Sequence, residues 1–186
     1  ATPMCVAFTS AAAKAWEERR DGHAFLPFDP AWLYPRAQAI DGIALPHEGT
    51  TIRAALRVLA GSGMALAGHP ESAATFKIAA YYAVPQTVNG IKRAILQSGP
   101  VLIASAWYAN WFHPPNGILP APSGSPVGGH ARLAYGWDDS VAGGSLLVRN
   151  SWGRSWGTGY GNSYDPYRYI VPALHDAWRA IDKLGD

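Results

Sequence analysis

Apolar residues recur at helical spacing near the start of the chain, where Phe8, Ala11, Ala12, Ala15 and Trp16 follow Thr2-Pro3 and run to Asp21-Gly22. Thr2 is suited to cap a helix and Pro3 to open it, so the pattern predicts a helix with Cys5 in its first turn. From Phe25 to Pro46 the periodicity is broken by Pro27, Pro30, Pro35 and Pro46, which predicts irregular chain with at most short helical turns. A second helix is expected over residues 51–60, where Ile52, Ala55, Leu56 and Leu59 make one apolar face before Gly61-Ser62-Gly63 ends it. A third is expected over 90–98, stopping at Gly99-Pro100.

Beyond that point the pattern changes. Val101-Leu102-Ile103-Ala104 is the continuous apolar run of a buried strand. Residues 113–129 are rich in Pro, Gly and Ser, which predicts a long surface loop of the kind that shapes a site. The segments HARLAYGW (130–137) and SLLVRN (145–150) flank Gly143-Gly144 and read as strand, turn and strand. With a mainly helical first half, a mainly β second half and no internal repeat, the expected class is α+β, a helical lobe followed by a sheet lobe.

Composition narrows the function classes. A chain of 186 residues, 48% hydrophobic with eight Trp and nine Tyr, suffices for one well-buried domain built around a cleft. The net charge is +2 and the 15 Lys and Arg are scattered, so neither nucleic acid nor an anionic membrane is expected as a partner. No apolar run reaches the ~20 residues that span a bilayer, and the start shows no basic and apolar signal-peptide pattern. One cysteine forms no internal disulfide, and without a CxxC or HExxH pattern no metal or cofactor is expected. GTGYG (157–161) lacks both the Lys-Ser/Thr ending and the GxGxxG spacing of phosphate loops.

The solitary thiol is the candidate for chemistry. Cysteine reacts as the thiolate, which a helix N-terminus and a neighbouring imidazolium both favour. Such a pair also needs a third group to orient the imidazole through its other ring nitrogen. His130 follows Gly128-Gly129, and Asn150 ends SLLVRN ahead of Ser151-Trp152-Gly153. If the two strands pair, these side chains emerge at neighbouring strand ends. Taken singly, Cys5 would be a small buried hydrophobe and Asn150 a turn residue. Together they supply the nucleophile, the imidazole and the orienting group that such chemistry needs, His130 and Asn150 lying 125 and 145 residues after Cys5, which favours chemistry instead. His23, His47, His69, His113 and His175 keep the plain reading of surface or core histidines.

CVAF, GGHARLAYGWDD and VRNSWGRSWGTGYG resemble the three signature blocks of the papain-like cysteine peptidases, usually written CWAFS, GGHAVxxVGY and KNSWGxxWGxxGY. GTTIRAALRVLAGSGM and IKRAILQSGPV are similar to that family's second helix and the segment entering its sheet lobe, so the resemblance covers most of the chain. It is nearer to disulfide-free bacterial-type members. The resemblance implies a two-lobed fold, with a helical lobe (about 1–99), a β-sheet or barrel lobe (100–186) and the active-site cleft between them. It also implies Cys5 as nucleophile, His130 as general base and acid, and Asn150 as the group that orients His130, with Trp152 covering the Asn–His hydrogen bond. Backbone groups of Gly49 and Thr50 fall where the family holds extended substrate, and Ala104, Gly129 and Ala131 map to small side chains at its specificity pocket. Val6 stands in place of the usual Trp. The family's oxyanion-hole Gln lies six residues before its Cys, a position expected upstream of Ala1.

The reaction so implied is endopeptidase hydrolysis through an acyl-enzyme, with peptide or protein substrates, a pro-segment or protein inhibitor as a further partner, and a monomeric state. Two other readings stand beside it: a catalytically silent homologue that binds peptides, and another Cys-His acyl-transfer enzyme such as an amidase or transglutaminase.

Overall fold

Cys5 opens helix α1 (Cys5–Arg20) in the computed structural model, which describes residues 3–42 and 48–182. Pro3 precedes the helix instead of starting it, and Met4 occupies the N-cap position with no side-chain cap bond. The expected cap, Thr2, lies outside the described residues. The helix ends where the sequence predicts, with Asp21 at the C-cap and Gly22 at φ 93°. Its buried side differs from the apolar stripe read from the sequence, because Phe8 is exposed while Lys14, Glu17 and Glu18 are buried. Partners make that burial tolerable. Lys14 Nζ lies 2.5 Å from Glu18 Oε1 and 2.5 Å from Asp182 Oδ2, and Arg20 reaches Glu17 at 3.0 Å.

The proline-rich stretch is where expectation and structure part most clearly. In place of irregular chain, Pro30–Asp41 forms a helix of 12 residues, α2. Pro30 sits at its first position, where the missing N–H costs no hydrogen bond, and Asp29 caps it by accepting from the Ala31 N–H at 2.9 Å. Pro35 removes one bond from the interior without ending the helix. Residues 43–46 of that stretch lie outside the described residues. Helix α3 (Ile52–Gly61) follows its pattern, with Thr51 capping Ala54 and with Ile52, Ala55, Leu56 and Leu59 buried. Strand β1 (Ile78–Ala83) was not legible, since only Ile78 in IAAYYA is buried and no alternation marks it.

Helix α4 (Val88–Ser98), capped by Thr87, leads through Gly99 into strand β2 (Val101–Trp107). Then come β3 (Gly128–Asp138), β4 (Ser145–Arg149), β5 (Asn162–Pro166), the short helix α5 (Tyr167–Ala173) and β6 (Leu174–Asp182). The strand order ends β6-β2-β3-β4-β5, with each of these neighbours antiparallel. β2 is central and buried on both faces, which is why its sequence is a continuous apolar run. β6 carries His175, Asp176, Arg179 and Asp182, so it hides its strand character.

The chain divides into two compact units, Ala1–Tyr82 with Ala180–Asp186, and Ala83–Arg179. The division precedes α4, ahead of the expected boundary near residue 99, because Ile91 and Ala94 of α4 join the apolar cluster of Val101, Ile103, Ala134, Leu146 and Val148.

In the second unit, register decides what meets what. Ser105 pairs with His130, Ile103 with Arg132, Ala134 with Val148, Val148 with Ser163 and Leu146 with Asp165. Alternation then sets His130, Arg132, Ser163 and Asp165 on one face of the sheet.

Candidate active site

His130 stands near the start of β3 and Asn150 directly after β4, and pairing of these strands brings the two together as the sequence led one to expect. His130 Nε2 lies 2.8 Å from Asn150 Oδ1, and that oxygen also accepts the Ser151 N–H at 2.8 Å. An oxygen that only accepts requires the proton of a neutral imidazole to sit on Nε2, which leaves Nδ1 with its lone pair.

The backbone of Asn150 is pinned in turn, its N–H donating to the Gly161 carbonyl at 2.7 Å. Gly161 has φ 75°, and a Cβ there would come within 3.0 Å of the Gly153 carbonyl oxygen. The glycines of GTGYG thus close a tight loop behind Asn150.

Aromatic rings enclose the pair. Trp152 stacks on His130 with ring centroids 4.7 Å apart and planes 21° from parallel, while Trp107 meets His130 edge-on at 4.8 Å. Phe112 stacks on Trp152 at 5.2 Å, and Trp156 meets Trp152 edge-on at 5.5 Å. His130 and Asn150 are buried, and excluding water strengthens the bond between them.

Burial and, after it, the charge of Arg132 push His130 down to about 4, against the pull of its bond to Asn150. Arg132 is fully buried, its Nη1 lies 2.5 Å from Asp165 Oδ2 and its guanidinium carbon sits 4.6 Å from the Trp107 ring centroid. Asp165 also accepts the Ser163 hydroxyl at 2.6 Å, yet burial pushes its carboxyl up.

The remaining candidates are dispersed. Cys5, a free thiol of intermediate exposure, is the first residue of α1 in the first unit, where the opening N–H groups have no intrahelical acceptor. In that unit the Gly49 N–H donates to Tyr34 Oη at 2.8 Å, the Gly49 carbonyl accepts from Gln38 at 3.2 Å, and the Thr50 hydroxyl donates to Asp41 at 2.6 Å. Gly129 is exposed and pairs with Ala106, and Ala104 pairs with Ala131. A cavity of about 490 Å³ opens beside Trp152, lined also by Phe112, His113, Pro114, Ser155, Trp156 and Gly157. Among the described residues, no three His, Cys, Asp or Glu side chains gather where they could hold a metal ion, and no helix is long and apolar enough to cross a membrane.

Residues 61–165, more than half of the chain, match the family model described as papain family cysteine protease. The chain belongs to that family. The matched stretch contains His130 and Asn150 and begins after Cys5. A gut-specific cysteine proteinase of Caenorhabditis elegans is 36% identical over 76 residues, which is 41% of this papain-family chain and 23% of that protein. The chain therefore spans well under half the length of such curated relatives. Among solved structures, xylellain, a cysteine protease from Xylella fastidiosa, aligns with a TM-score of 0.85 at 24% identity, covering 96% of this chain and 79% of that one. Digestive procathepsin L 3 of Tenebrio molitor larval midgut aligns with a TM-score of 0.76 at 16% identity, covering 97% and 64%. These two likenesses establish the papain-like α+β fold.

Sequence reasoning overlooked Trp107, Phe112, Arg132 and Asp165. The signal for Arg132 was present, because a charged residue two positions from His130 on a strand must share its face.

Proposed function

We propose that this papain-family chain is a cysteine endopeptidase in which Cys5 is the nucleophile, His130 the general base and acid, and Asn150 the orienting group. The observation that carries the proposal is the His130–Asn150 bond of 2.8 Å beneath Trp152, which leaves Nδ1 as the free base. Cys5 Sγ attacks the scissile carbonyl carbon as its proton passes to His130 Nδ1, giving a tetrahedral oxyanion. The helix N-terminus at Cys5 offers backbone N–H groups and a positive dipole end to that negative charge. Collapse breaks the C–N bond, Nδ1 returns the proton to the leaving amine, and a thioester remains. Water then attacks the thioester, Nδ1 takes its proton, and the thiol is restored as the acid departs.

Peptides or proteins are the proposed substrates. The Gly49 carbonyl, already accepting from Gln38, keeps a second lone pair for an extended chain, and Thr50 and Gly129 are the further residues proposed to hold substrate. Trp152 serves twice, covering the Asn–His bond and lining the adjacent cavity. A pro-segment is a proposed further partner, since one structural neighbour is a procathepsin.

The test treats the protein with a thiol-directed epoxide and, separately, with an internally quenched peptide. Stoichiometric labelling of Cys5 and mid-chain cleavage, both lost in Cys5→Ala, are expected. Labelling without cleavage would leave a peptide binder, and cleavage that survives Cys5→Ala would remove the nucleophile assignment.

A further inference from the structure

The face of the sheet that carries His130 also carries a charge that the reaction above does not use. Arg132 has five N–H donors, and one of them reaches Asp165 Oδ2 at 2.5 Å. Nε and Nη2 are buried with no hydrogen-bond partner, so the cation rests instead on the π face of Trp107, 4.6 Å from its centroid. That ring has His130 on its other contact, edge-on at 4.8 Å. Guanidinium, indole and imidazole thus form one stack of contacts, face-on at the first and edge-on at the second.

We infer that Arg132 and Asp165 form a positioning unit for His130, with Asp165 anchoring the guanidinium, the guanidinium fixing Trp107, and the buried positive charge acting on the imidazole through that stack. A buried ion pair is an expensive way to fill a core, and apolar residues of similar volume are often neutral or stabilising in its place. Arg132 falls where the usual family block GGHAVxxVGY carries Val. The charge is incompletely compensated by geometry, because a carboxylate oxygen meets Nη1 while Nε and Nη2 find no acceptor. The groups around His130 leave Arg132 as the cation that acts on it. Its own strand supplies Arg132, β2 supplies Ser105 and Trp107, β5 supplies Asp165 through Arg132, and the segment after β4 supplies Asn150 and Trp152. A positive charge disfavours imidazolium, in keeping with the low value of about 4 at His130.

The inference rests on His130 being the base proposed above, and its test does not depend on activity. The His130 ring is titrated by NMR in the full chain carrying Cys5→Ala, alone and with either Arg132→Lys or the pair Arg132→Met and Asp165→Leu. The pair removes the ion pair without leaving an unpartnered carboxylate, and thermal unfolding confirms that each variant folds. The apolar pair is expected to raise the His130 titration by about one pH unit, a tenfold change in proton affinity. Arg132→Lys is expected to leave it near the parent value. An unchanged titration in the apolar pair, or an equal rise in Arg132→Lys, would overturn the inference. Failure of the peptidase reading would instead show as wild-type protein that neither labels nor cleaves.

Discussion

Lys14 in the first compact unit and Arg132 in the second are both buried cations, and they are treated differently. In the first, Lys14 has a carboxylate oxygen at 2.5 Å on either side, from Glu18 and Asp182, and Glu18 extends the chain of partners to His23. In the second, Arg132 has one carboxylate, an aromatic face and two buried nitrogens without partners. The first arrangement compensates its charge locally and ties α1 to the end of β6. The second leaves a field beside His130. The same physics of burial therefore serves cohesion in one place and the tuning of a reactive group in the other.

The most severe break is chemical and draws one residue from each unit. Cys5→Ala and His130→Ala are each expected to lower kcat/KM by about 10⁴-fold or more, and the double variant by no more than either, because groups acting as a unit are not additive. A double variant worse by the product of the two would separate them. Next comes cohesion. Lys14→Met takes the buried ammonium away from two carboxylates, Glu18 and Asp182, and is expected to cost about 3–5 kcal/mol in urea unfolding. A loss under about 1 kcal/mol would show that the network adds little.

Slightly smaller is the pH effect at His130. Folding lowers its proton affinity from the ordinary 6.5 to about 4, so the unfolded chain binds the extra proton between those values. Its contribution to stability is complete above pH 6.5 and lost as pH falls toward 4, by on the order of 3 kcal/mol. The difference between wild type and His130→Gln in unfolding free energy should show that slope, and parallel profiles would exclude it. Asn150→Ala should then reduce kcat/KM by about 10²-fold, since it disturbs the orientation and tautomer of a base that is still present. The smallest effect concerns the start of α3, where the Thr51 hydroxyl accepts from Ala54 and donates to Asp41. Thr51→Ala removes the cap of α3 and should cost about 1 kcal/mol with kcat unchanged.

Much of this was readable from residue order. Helix α3 announced itself through its apolar face and the Gly61-Ser62-Gly63 stop, and α4 through the Gly99-Pro100 stop, all local signals, while the Thr87 cap that starts α4 two residues ahead of the expected position went unread. Strands β3 and β4 could be seen to pair, and His130 with Asn150 followed from that pairing. Helix α2 was hidden because Pro30 acts as a helix starter only in combination with Asp29, whereas proline counted by itself reads as a breaker. The buried face of α1 was hidden because Lys14 is made tolerable by Asp182, a residue 168 positions away that no local window contains. The anchor of Arg132 was hidden for the same reason, Asp165 lying two strands across the sheet. Apolar periodicity reports burial well and buried charge poorly, because the partners that permit buried charge are distant in sequence.

The central claim is that the thiol at the start of α1 and the imidazole on β3 react as one unit. The most direct measurement is the rate of Cys5 alkylation by iodoacetamide across pH in wild type and in His130→Ala. At a pH of about 6, wild type is expected to react at least ~10-fold faster than the variant, because a neutral imidazole acts as general base and takes the thiol proton as Sγ attacks. Two superimposable rate profiles would contradict the account.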